Sequence, residues 1–312
     1  MPVALSVGVE ITGDGIGNRS DARGIAGLAR RLESAGVHYW VLGADRGEPP
    51  GGATPSLDPS LVATVAARHS TELGLVIAAA AHRDHPYNLA RRLLSVDHAA
   101  RGRVGWFALD ADRHIGLNAA VDTWTGADLG PDHTAAAVAA VRTLWRTWPL
   151  TSLVGDRETG VFADTAQIRH ADIHGTYSIT GPLNVPGSLQ GDLPVWQQAG
   201  PAARDADVVV IEDGDPVPAG AAVVIRLRTV DRAALRRVAH TPGAVGVLIR
   251  LTPDTLAAAL DDVLPSAQHQ DFIVAPAADT LRQRLRLPVP ADPDLSTHRH
   301  AFAGAPNPGT RL

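Results

Sequence analysis

The chain has 312 residues, 45% hydrophobic and 20% charged, with a formal net charge of -5; that length suits one α/β barrel of ~250 residues with insertions. It has no cysteine, which excludes disulfides, thiolate nucleophiles and cysteine-ligated metals. All 28 basic residues are arginine, which excludes Schiff-base and phosphate-loop lysine chemistry, and they form no basic stripe of the kind nucleic acid requires.

The first strand is expected at residues 3–11, VALSVGVEI. The N-terminus turns acidic and glycine-rich too early for a secretion signal, and no apolar run approaches the ~20 residues of a membrane span, so the expected location is cytoplasmic. GDGIG at 13–17 follows this strand, but it lacks a lysine and Asp14 repels phosphate; it reads as a flexible loop. A helix follows from Asp21, with Ile25, Leu28, Ala29, Leu32 and Ala35 on one face. Asp21 suits its N-cap and Gly36 its C-terminal stop.

The second strand is expected at 38–45 and the second helix at Asp58-Pro59, a cap followed by proline at the first helical position. The third strand is read at 73–80, the third helix from Pro86, the fourth strand at 103–110 and the fourth helix over 133–147. Residues 149–192 break the alternation and read as an insertion, with a hairpin near Gly175. Further strands are expected at 194–200, 206–213, 221–230 and 244–251, with helices at 231–239 and 254–265.

Eight strands alternating with helices predict an α/β fold, a (β/α)8 TIM barrel over residues 1–290, followed by a loose tail or extended arm at 291–312. Only PAARD separates strands 5 and 6, and GDPVPAG separates strands 6 and 7. A parallel crossover usually needs about a dozen residues, so helices 5 and 6 are expected to be irregular or missing.

Two long stretches carry a family resemblance: HPYNLARRLLSVDHAARGRVGW at 85–106 and GTYSITGPLNVPGSLQGDLPVWQQAG at 175–200. They resemble the bacterial luciferase-like flavin monooxygenases, in the nitrilotriacetate, pristinamycin and dibenzothiophene-sulfone monooxygenase branch. LESAGVHYWVLGAD at 32–45, residues 56–75 and TLRQRLRLPVP at 280–290 match more weakly. The resemblance implies reduced FMN from a separate flavin reductase (a deazaflavin is the alternative), molecular oxygen and a small organic substrate. It also implies a site at the carboxyl ends of the strands and a homodimer or a heteromer with a homologue.

The resemblance places Asp45 at a flavin-adjacent position, Ala80 in a stretch where the family has serine and threonine, and Phe107 where it has a flavin-contacting asparagine. Ala111 stands near a family serine. After strand 5 the family has a turn that opens a helix and holds the FMN phosphate on backbone N–H groups; here QQAG runs straight into PAARD. Gln198 is left as a candidate flavin or substrate contact, with Gln197 on the opposite side of its strand. Arg226 and Arg250 are candidate replacements for the phosphate turn, since guanidinium binds phosphate bidentately; pairing with Glu212 or Asp213 is the competing assignment. His82 and His85 are candidate acid/base groups in the third strand-to-helix loop. Trp106, Trp145, Trp148 and Trp196 read as core. The tail's His298 and His300 lack a third ligand and make no metal site.

Three functions stay open. The first is an FMN-dependent two-component monooxygenase. The second is a non-catalytic barrel that has lost flavin binding and serves an intact homologue as partner or regulator. The third is a hydrolase using Glu10, Asp110 and Glu212, whose carboxylates would have to lie ~5–10 Å apart.

Overall fold

A computed structural model describes residues 5–12, 21–48, 57–113, 130–229, 231–269, 278–291 and 294–302. The GDGIG loop lies outside them. Eight parallel strands close into a barrel in sequence order: β1 (Ser6–Ile11), β2 (Tyr39–Leu42), β3 (Gly74–Ala79), β4 (Val104–Ala108), β5 (Val195–Gln198), β6 (Val208–Glu212), β7 (Ala222–Leu227) and β8 (Ala244–Leu251). The outer layer contains α1 (Ala22–Ser34), α2 (Pro59–His69), α3 (Pro86–Ala99), α4 (Pro131–Arg146) and α5 (Arg232–Ala239). It continues with α6 (Pro253–Ala258), a π-helical turn at Ala259–Val263 and α7 (Leu264–His269). A last helical turn, α8 (Leu281–Arg284), follows. Among the described residues no helix is long and apolar enough to cross a membrane.

The expected caps form. The Asp21 carboxylate accepts from Gly24 N–H at 2.7 Å, and Asp58 accepts from Ser60 N–H at 2.8 Å, one residue before Pro59. Gly36, at φ 75°, takes the left-handed conformation that ends α1. A five-residue 3-10 turn, Pro201–Asp205, replaces helix 5, and the turn at 213–221 replaces helix 6. The outward residues Val209, Ile211, Val223 and Ile225 are nonetheless buried, with Ala203, Ala206, Val217 and Ala221 packed on the same core. Small side chains on short turns thus do the covering that a full helix would do.

The barrel interior is filled with side chains. Tyr39 and Trp196 lie across it with ring centroids 5.2 Å apart, and the Tyr39 hydroxyl donates to Val247 O at 2.6 Å. Glycines make room for the Tyr39 ring: a Cβ on Gly8 would sit 1.8 Å from Tyr39 Cε2, closer than any atoms can pack. Above these rings Val41, Val76, Ala78, Phe107, Val210, Val224 and Leu248 complete one apolar cluster. Below them α8 closes the amino-terminal end with Leu281 and Leu285.

His38 reports on this lower end. Its Nδ1 accepts from Val7 N–H at 2.8 Å, which requires an unprotonated nitrogen. Burial, and then the Arg284 charge, push its pKa down to about 4. The unfolded chain takes up this proton near pH 6.5 and the folded chain only near 4, so stability falls as pH drops through that window. Across about 2.5 units the loss is on the order of 3 kcal/mol. Urea unfolding from pH 7 to pH 4 should show it, and His38→Asn should flatten the profile; equal slopes in the two proteins would count against this assignment.

The insertion after α4 holds two small hairpins, marked by the antiparallel bridges Leu153–Ala163 and Ile173–Ile179. The second turns at Gly175. Part of the C-terminal segment lies on the insertion: Ala301 N–H donates to Ile168 O, His170 N–H donates to Arg299 O, and Arg299 pairs with Asp172 at 2.6 Å.

Candidate functional site

Strand alternation decides which side chains enter the barrel mouth. Residues in step with Tyr39 and Trp196 point inward, so Glu10, Gln198, Glu212, Arg226 and Arg250 crown the carboxyl end. Gln197 points to the outer layer, is buried, and makes no hydrogen bond with its amide.

The crown is a chain of alternating charges. Glu48 lies 2.6 Å from Arg250 Nη2, and Arg250 Nε lies 2.5 Å from Glu10 Oε1. The same Glu10 oxygen lies 2.9 Å from Arg226 Nε. Arg226 Nη1 donates to Glu212 at 3.0 Å and to Gln198 Oε1 at 2.7 Å, and Arg228 Nε reaches the other Glu212 oxygen at 3.0 Å. Glu10 is only 2% exposed and Arg226 5%, while Glu48 and Arg228 reach solvent at the two ends. Three carboxylates and three guanidiniums cancel.

The electrostatics follow from this order. Burial alone would lower the Arg250 pKa, but the hydrogen bond to Glu48 and the charge of Glu10 raise it overall. Burial pushes Glu212 up, yet Arg226 and Arg228 bring it below the usual carboxylate range. Burial, and then the charge of Glu10, raise the Tyr39 hydroxyl. At Glu212 and Arg250 the ionised form is stabilised by oppositely charged neighbours, the opposite of an acid/base pair, in which one carboxyl must be held protonated. Glu10 and Glu212 share Arg226, and the exposed Asp110 accepts from Thr134 Oγ1 at 2.6 Å. The arrangement does not support the hydrolase.

The remaining sequence candidates fall in two places. Ala80 and Phe107 are buried in the interior cluster and offer no side-chain donor. Asp45 does not end a strand: β2 stops at Leu42, and Asp45 sits half-buried in the 3-10 turn Ala44–Gly47. His82 and His85 join a second cluster on the rim. His85 caps α3, its Nδ1 accepting from Tyr87 N–H at 3.2 Å. Its ring stands 6.3 Å from that of Tyr177, whose hydroxyl lies 3.0 Å from His133 Nε2. Burial lowers the pKa of His82, His85 and His133, with Arg83 adding to the effect at His82, and burial pushes Tyr177 up to about 12. Beside them Arg46 pairs with Asp112 at 2.7 Å.

Sequence reasoning missed Glu48, His133 and Tyr177. Glu48 carries no periodic signal, and His133 and Tyr177 meet only in three dimensions, 44 residues apart. Trp106, Trp145 and Trp196 are core, as expected; Trp148 is half-buried and donates to Ser152 Oγ at 3.0 Å. Among the described residues no group of histidines and carboxylates could hold a metal.

No family model matches the chain. Curated relatives do. Dibenzothiophene-sulfone monooxygenase of Rhodococcus erythropolis is 36% identical over 155 residues, which cover 48% of this chain and 33% of that protein. One component of the pristinamycin IIA synthase of Streptomyces pristinaespiralis is 29% identical over 192 residues, covering 61% and 62%. The chain thus matches only about a third of the length of the first relative. Among solved structures, DmoA from Hyphomicrobium sulfonivorans superposes with a TM-score of 0.74 at 15% identity, covering 97% of both chains. EDTA monooxygenase from Chelativorans sp. BNC1 gives 0.69 at 17%, covering 91% and 99%. The curated relatives that this chain resembles are luciferase-like monooxygenases, and its barrel has the fold of the solved structures it superposes on.

Proposed function

We propose that this chain is a luciferase-like barrel that has given up flavin binding and works as a partner or regulator of an intact, flavin-binding homologue. The observation that carries this reading is the Glu48–Arg250–Glu10–Arg226–Glu212–Arg228 chain across the mouth. A phosphate dianion needs uncommitted donors, and both candidate arginines are committed to carboxylates. An anion entering there would meet Glu10, Glu48 and Glu212 and would have to displace them. Losing several charge-assisted hydrogen bonds of ~1.5–3 kcal/mol each would lower affinity by orders of magnitude.

Three further observations agree. The turn after β5 is a short 3-10 segment opening on Gly200-Pro201, with no long helix to present N–H groups to an anion. Ala79, Ala80 and Ala81 follow one another where hydroxyls would be needed. Phe107 occupies interior volume. Among the described residues the donor set does not fit FMN. A reductase, a deazaflavin and a small organic substrate, which the resemblance implies, then have no role at this mouth. The partner reading draws on kinship: one relative is by name a single component of a synthase with more than one.

The test is a flavin titration. Oxidised FMN, and reduced FMN under anaerobic conditions, should show no saturable quenching of flavin or tryptophan fluorescence up to millimolar concentration. Saturation in the micromolar range would overturn the proposal and restore the FMN-dependent monooxygenase.

A further inference from the structure

Four side chains from four segments meet on the rim beside β3 and β4. His82 lies in the loop after β3, His85 caps α3, His133 stands in the first turn of α4, and Tyr177 belongs to the insertion. His82, His133 and Tyr177 are all buried. The Tyr177 ring lies 5.6 Å from that of His133 and 6.3 Å from that of His85, with the hydroxyl 3.0 Å from His133 Nε2. In the first turn of α3, the Tyr87 hydroxyl donates to Pro182 O of the insertion at 3.3 Å. The inner edge of the insertion, residues 173–182, is therefore held to the barrel through this cluster.

The cluster is built for neutral imidazoles. His85 Nδ1 accepts a backbone N–H, which protonation would forbid. The His82 ring nitrogens are buried and make no hydrogen bond of normal geometry. The charged groups around the cluster already have partners. Asp112 pairs with Arg46, Arg83 donates to Asp112 O, Asp84 pairs with Arg92 at 3.0 Å, and Asp110 accepts from Thr134. Asp132 lies beside His133 in the first turn of α4. Arg83 and a protonated His133 each oppose a positive charge on His82, against which Asp112 acts, and Asp84 acts likewise at His85, where burial outweighs it.

We propose that this cluster is an acid-sensitive latch, which seats residues 173–182 on the barrel rim while its three imidazoles are neutral and releases them when the imidazoles are protonated. The latch lies apart from the ion-pair chain and does not depend on whether the mouth holds flavin. Folded-state pKa values are lowered at all three histidines. The docked form therefore loses stability as pH falls below ~6.5, where the undocked imidazoles take up protons first.

Hydrogen exchange read by mass spectrometry at pH 7.5 and pH 5.5, corrected for the intrinsic rate, tests this in the full chain. At pH 5.5, one unit below the free value of ~6.5, each imidazole that docks only when neutral should lower protection of 173–182 by up to about tenfold, beyond any loss in β1 and β8. The lower pH lies inside the window in which His38 weakens the whole fold, so β1 and β8 report that shared loss and only the excess at 173–182 belongs to the latch. The double variant His82→Gln/His133→Gln should lose most of the pH response. Tyr177→Phe, which removes one hydroxyl, should expose 173–182 already at pH 7.5. Unchanged protection of 173–182 at the lower pH, or a loss shared equally with β1 and β8, overturns the latch. So does a full pH response in both variants.

Discussion

Replacing Arg226 with alanine is expected to destabilise the fold by about 3 kcal/mol, near the lower end of what breaking a buried ion pair costs. The penalty comes less from lost attraction than from what remains. Glu10 is 2% exposed and would keep only Arg250, while the cavity left by the guanidinium could not solvate it fully. Chain order allows a sharper test. Removing Glu10 and Arg226 together, as Glu10→Leu/Arg226→Met, leaves two complete pairs, Glu48–Arg250 and Glu212–Arg228. The double variant should therefore recover most of the loss, since replacing a whole buried pair by apolar groups is often neutral. Urea unfolding of wild type, both single variants and the double variant gives the coupling energy. A double variant as unstable as the sum of the singles would refute the alternating-pair account.

The same arithmetic supports the proposal that the mouth is held as a structural unit. Glu10 and Glu212, aimed into a barrel mouth, look like catalytic equipment when read from strand ends alone. Once each is matched by an arginine on an adjacent strand, and Glu48 and Arg228 extend the chain at its two ends, the six groups carry no net charge and each has a reason to stay where it is. Register makes these matches: Glu10 pairs with Arg250 across β1 and β8, and Glu212 with Arg226 across β6 and β7.

The strands were legible because parallel barrel strands are buried on both faces and read as continuous apolar runs; VVVIE and AVVIRL need no partner to be recognised. Helix starts were legible where a cap and a proline coincide, as at Asp58-Pro59 and Pro86. The strand assignment ran long at β2, where Asp45 belongs to a 3-10 turn that apolar alternation cannot distinguish from strand. Pairing was the hidden part. Glu10 and Arg250 stand 240 residues apart, and nothing local in either predicts the other. The assignment of Arg226 to Glu212 rather than to phosphate could be weighed from strand ends, but only geometry brings in Glu48, Glu10 and Arg228. α8 spans four residues, too few for helical periodicity, so the sequence predicts no helix there, although TLRQRLRLPVP carries part of the family resemblance.

That short helix is where the largest single loss is expected. Arg282 is 1% exposed, and its guanidinium is fully engaged. Nε donates to Asp192 O at 3.0 Å, Nη1 donates to Asp207 Oδ1 at 3.1 Å and to Pro288 O at 2.8 Å, and Nη2 donates to Asp207 Oδ2 at 3.2 Å. Its backbone N–H is held by Gln190, which also binds Asp97 and Val104. Arg282→Ala should cost about 4–5 kcal/mol, because it takes the donor from Asp207 Oδ1 and from two backbone carbonyls, leaving Asp207 only Arg142 at 2.8 Å and the Val195 N–H, and loosens the plug formed by Leu281 and Leu285. Arg282→Lys should recover little, since one ammonium cannot reproduce a planar fork that serves a carboxylate on one side and carbonyls on the other. Asp207→Asn should also destabilise, but less, because Arg142 then has Asp192 to turn to at 3.6 Å. The combined Arg282→Ala/Asp207→Asn variant should lose clearly less than the sum of the two. Chemical denaturation measures all four. A loss below about 1 kcal/mol for Arg282→Ala, the scale of an exposed ion pair, would mean that the barrel closes its lower end without this residue.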